Sequence, residues 1–524
     1  MHRFVSIQLD RNLDKPLYIQ LYEGIIDLIS QGKLSPEEKL PPIRKLAALL
    51  KVNSVTVVNA YRLLEKEGYA VSKVGSGTYV SPAIISAGRP ALKLQPHSRG
   101  AGTPDIDPRS KALNPKNAPF STGGPDGSLG FSGAERQNPG ARVRFDFGSA
   151  AISPEFFPVD DFKEVLNEVL DRDGGYAFDY QESMGYPPLR QSIRDFIFKE
   201  YGIEMPVDGI QVVSGAQQGI DIIAKAFLNF QDTVFVEAPT YTGAIDAFRS
   251  RGARIVEIPM ERDGVNLDEF VSKLKNRPPK LFYTMPNFHN PTGRSYSAQK
   301  KKELLALTSE YDFLIVEDDH MNDLYFAKKP EPLKALDRSG RVLYIKSFSK
   351  LFMPGLRLAF IASPEGFAGR ITDAKYSSDI SSSGLTQRAL DLFFRKSLWT
   401  GHVNRIRKAF REKWQIMKYA LEEYLPGCIE YTDPGGGLFF WLVLPRGYYS
   451  MNLYTEALKR GLLIMPGDLF YADRRPSQGF RLSFAEISPE DIQGGIKLLS
   501  EIISDFLEEY SLSPIRGTGY RPLL

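Results

Sequence analysis

Ser347-Phe348-Ser349-Lys350-Leu351-Phe352-Met353-Pro354-Gly355-Leu356-Arg357 follows the apolar run Val342–Ile345 and sets an amine among hydroxyls, with an arginine seven residues beyond it. The run before it is short, apolar and stopped by small polar residues, which reads as a buried strand opening into a chemically loaded loop. The same pattern repeats outward on both sides. Apolar runs at Ile210–Val213, Thr233–Val236, Arg254–Ile258, Lys280–Thr284, Phe313–Val316 and Arg357–Ala362 alternate with amphipathic helical stretches. Strand and helix in alternation predict an α/β fold with a mostly parallel sheet and helices on both faces. After about residue 364 helical patterns dominate, and strand-like Phe439–Leu444 and Phe480–Phe484 set off a smaller C-terminal subdomain.

Other strand ends carry chemistry too. Phe313-Leu314-Ile315-Val316 runs into Glu317-Asp318-Asp319, and Met285-Pro286-Asn287-Phe288-His289-Asn290-Pro291-Thr292-Gly293 contains Asn-Pro-Thr-Gly. Val212-Val213-Ser214-Gly215-Ala216-Gln217 passes through small residues into a helix start, and Tyr241 follows Ala238-Pro239-Thr240. Each has an ordinary reading taken alone: strand-ending acids bind magnesium, Asn-Pro makes a turn, and small residues let a helix pack close to a strand. In combination they meet the needs of pyridoxal phosphate, which are an amine for an imine, an anion opposite the ring nitrogen, donors for the phosphate and a flat neighbour for the ring. Lys350 is the expected Schiff-base amine. Asp318 is expected on the ring nitrogen, Asn290 on the phenolic oxygen and Tyr241 against the ring. Ser347, Arg357 and the segment around Ala216 and Gln217 are expected on the phosphate. No metal is expected.

Upstream, Leu17, Leu21, Ile25, Leu28 and Ile29 give one apolar helix face that ends near Gly32. A second helix is predicted over about Ile43–Leu50 and a third over about Ser54–Glu67, with Asn53 or Ser54 as N-cap and Gly68 as stop. Tyr69–Val71 and Thr78–Val80 then read as two strands joined through Gly75 and Gly77. That order is the layout of a winged helix-turn-helix that binds double-stranded DNA, although an ordinary small helical domain gives the same pattern. As a DNA reader it would present Thr56, Asn59 and Arg62 from the third helix, which begins at Ser54. Arg44 and Lys45 would meet phosphate, and Gly77 would lie in the wing.

The 524-residue chain carries a net charge of +3, and residues 1–82 hold all of that excess, 11 Lys+Arg against 8 Asp+Glu. Residues 83–140 contain 8 Pro and 9 Gly with no sustained periodicity, which predicts a flexible linker between domains at 1–82 and 141–512, followed by a tail at 513–524. No apolar leader and no apolar run of about 18 residues is present, so a cytoplasmic protein that does not enter the membrane is expected. Cys428 is the single cysteine, expected as a lone buried thiol.

Residues 16–81, from Gln31-Gly32-Lys33-Leu34-Ser35-Pro36 through Leu40-Pro41-Pro42-Ile43-Arg44-Lys45-Leu46-Ala47 to Gly75-Ser76-Gly77-Thr78-Tyr79-Val80, resemble the GntR family of bacterial regulators. Residues 145–510 resemble fold-type I aminotransferases, and this implies that Arg481 in Phe480-Arg481-Leu482-Ser483-Phe484 grips a ligand α-carboxylate. Their fusion is similar to the MocR subfamily. The resemblance implies a homodimer, head to tail, that binds operator half-sites and senses an amino compound or pyridoxal phosphate itself through the imine at Lys350. Two departures belong to this chain. Ser54 stands where the first family usually has arginine, so the operator does not carry over. His320 and Met321 stand where the second commonly has tyrosine, and His320 is expected to donate to the phenolic oxygen in its place. An active aminotransferase with an appended DNA-binding module, and a cofactor-free regulator, are the rival readings.

Overall fold

The computed structural model describes residues 3–4, 7, 9–10, 17–50, 52–66, 69–73, 77–81, 143–348 and 350–511. The predicted linker at 83–140 and tail at 513–524 lie outside them. The chain divides into two units, Met1–Leu113 and Asn114–Leu524.

In the first unit, helices at Leu17–Ser30, Ile43–Leu50 and Ser54–Lys66 precede an antiparallel pair of strands, Ala70–Lys73 and Gly77–Val80, in the register Ala70 opposite Val80. The helical periodicity explains the core. Leu21, Ile25 and Leu28 on the first helix meet Val57, Ala60, Tyr61 and Leu64 on the third, all buried at three- and four-residue spacing. Each fully buried leucine contributes roughly 1.5–3 kcal/mol. The Tyr61 hydroxyl donates to the Pro41 carbonyl at 2.8 Å, which ties the third helix to the turn that opens the second.

The second unit is built on an eight-stranded sheet in the order Ile210–Val213, Ala359–Ala362, Val342–Ser347, Leu314–Asp319, Leu281–Thr284, Thr233–Ala238, Arg254–Glu261, Gly264–Val265. The run from Val342–Ser347 to Arg254–Glu261 is parallel throughout; Ala359–Ala362 and the edge strand Gly264–Val265 are reversed. Strand alternation feeds two cores. Val234 and Val236 pack with Ile220, Ile223 and Phe248 on one face, while Phe235 packs with Phe270 and Leu304 on the other. Helices therefore cover both faces, as the unbroken apolar runs require.

The smaller subdomain has an antiparallel sheet ordered Glu430–Thr432, Phe439–Val443, Gly479–Ser483, Met465–Pro466. The helices Leu398–Tyr424 and Pro489–Ser511 belong to the same core. Phe145–Asp146 pairs in parallel with Leu462–Leu463, so the start of this unit is stitched to its far end.

Two expectations change. The strand predicted to stop at Val316 continues through Glu317, Asp318 and Asp319, all buried, because each carboxylate finds donors inside the fold. Cys428 is exposed rather than buried. It lies in the turn after Pro426, whose carbonyl accepts the Ile429 amide, and the buried position goes to Ile429. Among the described residues no helix is long and apolar enough to cross a membrane, and no cluster of His, Cys, Asp and Glu suits a metal ion.

Candidate functional site

The parallel strands all end on one edge, and their carboxyl ends collect the chemistry. Asp318 lies on Leu314–Asp319, Ser347 closes Val342–Ser347, and Lys350 follows it. Tyr241 lies beyond Thr233–Ala238, Asn290 beyond Leu281–Thr284, and Ala216 and Gln217 open the helix Ala216–Phe227 after Ile210–Val213. The Lys350 ammonium donates to the Ala150 carbonyl at 3.3 Å.

Asp318 shows best what this edge is built to receive. One carboxylate oxygen accepts the Tyr283 hydroxyl at 2.6 Å; the other is buried and, among the described residues, has no hydrogen-bond partner. Burial pushes the carboxyl up to about 7, against the pull of Tyr283 and with Asp319 and Glu237 adding to the rise. A buried acceptor left alone costs about 1–3 kcal/mol, so the orphaned oxygen is a place for a donor such as a protonated ring nitrogen. His320 repeats the sign: its ring is stacked on Phe439 at 6.4 Å, and among the described residues neither nitrogen has a partner. Burial, then the neighbouring cations led by Lys350, hold it down at about 3, so at neutral pH the imidazole is uncharged, with one donor and one acceptor.

Arg357, Gly215 and the start of the helix Ala216–Phe227 form a second group. Arg357 donates to the Ser214 carbonyl at 3.2 Å, and Gly215 has φ +93°, a backbone conformation that favours glycine; a Cβ there would lie 2.1 Å from the Arg357 Nη2 and push that guanidinium aside. The helix Ala216–Phe227 begins directly after Gly215, and among the described residues its N-terminus has no side-chain cap. Gln217 joins the Tyr241 hydroxyl at 3.0 Å to the Gly243 carbonyl at 2.8 Å, which sets the tyrosine over this end of the site. These residues fit pyridoxal phosphate.

Arg481 is fully buried in the strand Gly479–Ser483 and donates to Asn290 Oδ1 at 2.7 Å and to the Gly148 carbonyl at 2.9 Å. Its guanidinium lies 4.4 Å from the Phe439 ring centre and 5.2 Å from that of Phe470. Tyr283, Phe439, Phe470, Gly148 and Ala150 were missed by sequence reasoning. Tyr283 reaches Asp318 only because their strands are parallel neighbours, and a single sequence carries no signal for that adjacency.

In the first unit Lys45 is exposed, Thr56 and Asn59 are half-buried on the third helix, Ser54 begins that helix and Gly77 begins the second wing strand. The side chains of Arg44, Ser54 and Arg62 lie outside the described residues.

The family model for aminotransferases of class I and II matches residues 153–499, and that for bacterial regulatory proteins of the gntR family matches residues 17–80. The HTH-type transcriptional regulator YisV of Bacillus subtilis, itself uncharacterized, is 30% identical over 94% of this chain and 97% of its own length. The probable rhizopine catabolism regulatory protein MocR of Rhizobium meliloti is 28% identical over 94% of both chains. The chain belongs to the MocR subfamily of GntR-type transcriptional regulators. This MocR-type regulator is also similar in structure to LysN, an α-aminoadipate aminotransferase from Thermus thermophilus solved with N-(5'-phosphopyridoxyl)-L-leucine, at TM-score 0.66 and 31% identity over 73% of this chain and 97% of LysN. Its cofactor is pyridoxal phosphate, and its GntR domain binds DNA.

The raised carboxyl of Asp318 has a measurable consequence in the cofactor-free MocR-type regulator. Between about pH 4 and pH 7 the folded chain holds a proton that the unfolded chain has released, so stability falls as pH rises through that window. Above it the buried anion is a net cost of about 1.4 kcal/mol per pKa unit. Asp318→Asn is therefore expected to raise the melting temperature of the cofactor-free protein more at about pH 8 than at about pH 5, while weakening its hold on pyridoxal phosphate roughly tenfold or more. Differential scanning fluorimetry at both pH values checks this; an equal effect at each would refute the burial argument.

Proposed function

We propose that the chain senses an amino compound, or pyridoxal phosphate itself, at the edge formed by Lys350, Asp318, Asn290 and Arg481, and reports it to an operator through residues 1–82. The observation that carries this reading is the orphaned Asp318 oxygen in a site where Lys350, Arg357 and a fully buried Arg481 converge. Pyridoxal phosphate supplies an aldehyde carbon that condenses reversibly with primary amines, and a ring that absorbs visible light.

The chain's own residues divide the work. Asp318 would hold the ring nitrogen of the bound cofactor. Asn290, with Oδ1 held by Arg481, would offer its amide N–H to the phenolic oxygen, and neutral His320 would offer a second donor there. Ser347, Arg357 and the amides at Ala216 and Gln217 would hold the phosphate. Arg481 offers a planar, desolvated fork that suits a carboxylate. Signalling requires the ligand to bind two states of the protein unequally, and its effect on the operator equals that difference. The domain limits, 1–82, 83–140, 141–512 and 513–524, belong to the same proposal, as does a cytoplasmic setting.

The test is a thermal-shift and visible-spectral screen of amino acids, polyamines and γ-amino acids against the cofactor-loaded chain, with operator affinity measured beside it. A carboxylate-bearing amine is expected to change both; promoter binding indifferent to every amine would sink the proposal. Steady transamination at about 1 per second or faster would instead make the chain an aminotransferase with an appended DNA module.

A head-to-tail homodimer completes the proposal. Tyr176, Phe178 and Tyr180 lie within five residues and are all strongly exposed, Tyr180 at 81%, an apolar surface of the kind that subunit contacts cover. Light scattering is expected to give twice the 58.8 kDa chain mass, and Phe178→Asp to shift it toward one chain.

A further inference from the structure

We propose that Glu237 and His289 are a positioning pair that locks together the two loops bracketing the cofactor and so sets how rigidly the cofactor is held. This rests on the reading above, in which Tyr241 and Asn290 touch it. Glu237 is the penultimate residue of the strand Thr233–Ala238, four residues before Tyr241, and His289 directly precedes Asn290. Both side chains are completely buried, and Glu237 Oε2 lies 3.0 Å from His289 Nε2.

The remaining partners show what the pair holds. Glu237 Oε1 accepts the hydroxyls of Thr284 at 2.6 Å and Tyr296 at 2.7 Å, and Oε2 accepts the Met285 amide at 3.0 Å. On the other side of the imidazole, Nδ1 is 2.8 Å from the Thr292 hydroxyl and receives the Thr292 amide at 3.4 Å. An Nδ1 that accepts leaves the ring proton on Nε2, which lies 3.0 Å from Glu237 Oε2 without hydrogen-bond geometry, a close polar contact between two buried groups. One carboxylate thus gathers donors from both ends of the Met285–Tyr296 loop and, through its contact with His289, meets the turn that carries Asn290.

Both loops then lead to Arg481. Asn290 meets its guanidinium directly, while the Thr240 amide, one residue before Tyr241, donates at 2.8 Å to the carbonyl of Phe470, whose ring lies 5.2 Å from the same guanidinium. A carboxylate that served packing alone would need donors, but not donors from both flanks of the loop that presents Asn290, gathered onto the strand end that leads into Tyr241. Side chains held by such supporting contacts keep a bound group in one orientation.

The experiment uses the full chain loaded with pyridoxal phosphate and reads visible circular dichroism per bound cofactor, which reports how firmly the chromophore is oriented, together with the melting temperature. His289→Leu keeps volume but removes the polar ring beside Glu237 and the acceptor for Thr292, and is expected to lower the visible ellipticity per cofactor by about twofold or more; His289→Gln, which restores a polar side chain, is expected to recover most of it. A lower melting temperature with unchanged ellipticity per cofactor would mean a purely structural pair and would overturn the proposal. If His289→Leu does not fold, Thr292→Val carries the test by removing the hydroxyl at Nδ1, and an unchanged signal there overturns it equally. Wild-type protein with no visible band would overturn the cofactor reading itself, an outcome distinct from a normal band indifferent to His289.

Discussion

Lys350→Ala is expected to abolish the visible absorbance of the cofactor-loaded protein and its covalent attachment, a complete loss rather than a weakening. The reason is that the neighbouring buried lysine cannot take its place. Lys346, four residues earlier, is completely buried and paired with Asp319 at 3.2 Å and Asp323 at 2.9 Å. Those two carboxylates outweigh burial and hold its ammonium above the ordinary lysine range, and a protonated amine is no nucleophile. Lys350 is only half-buried, and its ammonium donates to the Ala150 carbonyl at 3.3 Å. Borohydride reduction followed by intact-mass measurement separates the cases: wild type should gain one cofactor and Lys350→Ala none. A small added amine such as methylamine should return colour to the variant without attaching anything to the chain. Colour and added mass surviving in Lys350→Ala would reassign the amine.

How much of this was legible in the sequence depends on whether the information was local. The runs Ile210–Val213 and Val342–Ile345 and the helix Ile43–Leu50 announce themselves by periodicity, and the structure places them within a residue or two of their predicted limits. The strand at Leu314–Asp319 was read three residues short, because three successive carboxylates look like a solvated strand end until their partners are known. Glu317 receives the amides of Leu333 and Lys334 at 2.8 and 2.7 Å, and Asp319 receives Lys346 and Tyr344. None of those donors lies within ten residues of its acceptor. The same holds in the site: Lys350, Asp318 and Asn290 were legible as motif residues, whereas Tyr283 and Glu237 act through sheet order, and Gly148 and Ala150 through the return of residues 143–152 to the far end of the unit. Local chemistry can be read along a chain, while the contacts that orient it belong to the fold.

Removing residues 1–82 is expected to lower affinity for the promoter by about a thousandfold or more, the usual gap between specific and non-specific binding. What remains holds equal numbers of acidic and basic residues, since the whole +3 excess lies in the removed segment, so it has no net charge with which to hold phosphate. Single substitutions in the full chain divide that loss by mechanism. Lys45 is exposed at the start of the second helix; Lys45→Ala should weaken all DNA sequences alike and reduce the dependence of affinity on salt by about one counterion per reader. Asn59 sits on the third helix between Ala60 and Val57, which face the core, and on the proposed reading its amide would pair with a base edge. Asn59→Ala should cost about 1–3 kcal/mol on the operator and almost nothing on unrelated DNA, leaving the salt dependence unchanged. Fluorescence anisotropy across a salt series distinguishes the two. If the truncated chain binds promoter DNA as tightly as the full one, the assignment of residues 1–82 as the reader is wrong; if Asn59→Ala weakens every sequence equally, the reader stands but its third helix does not carry the sequence preference.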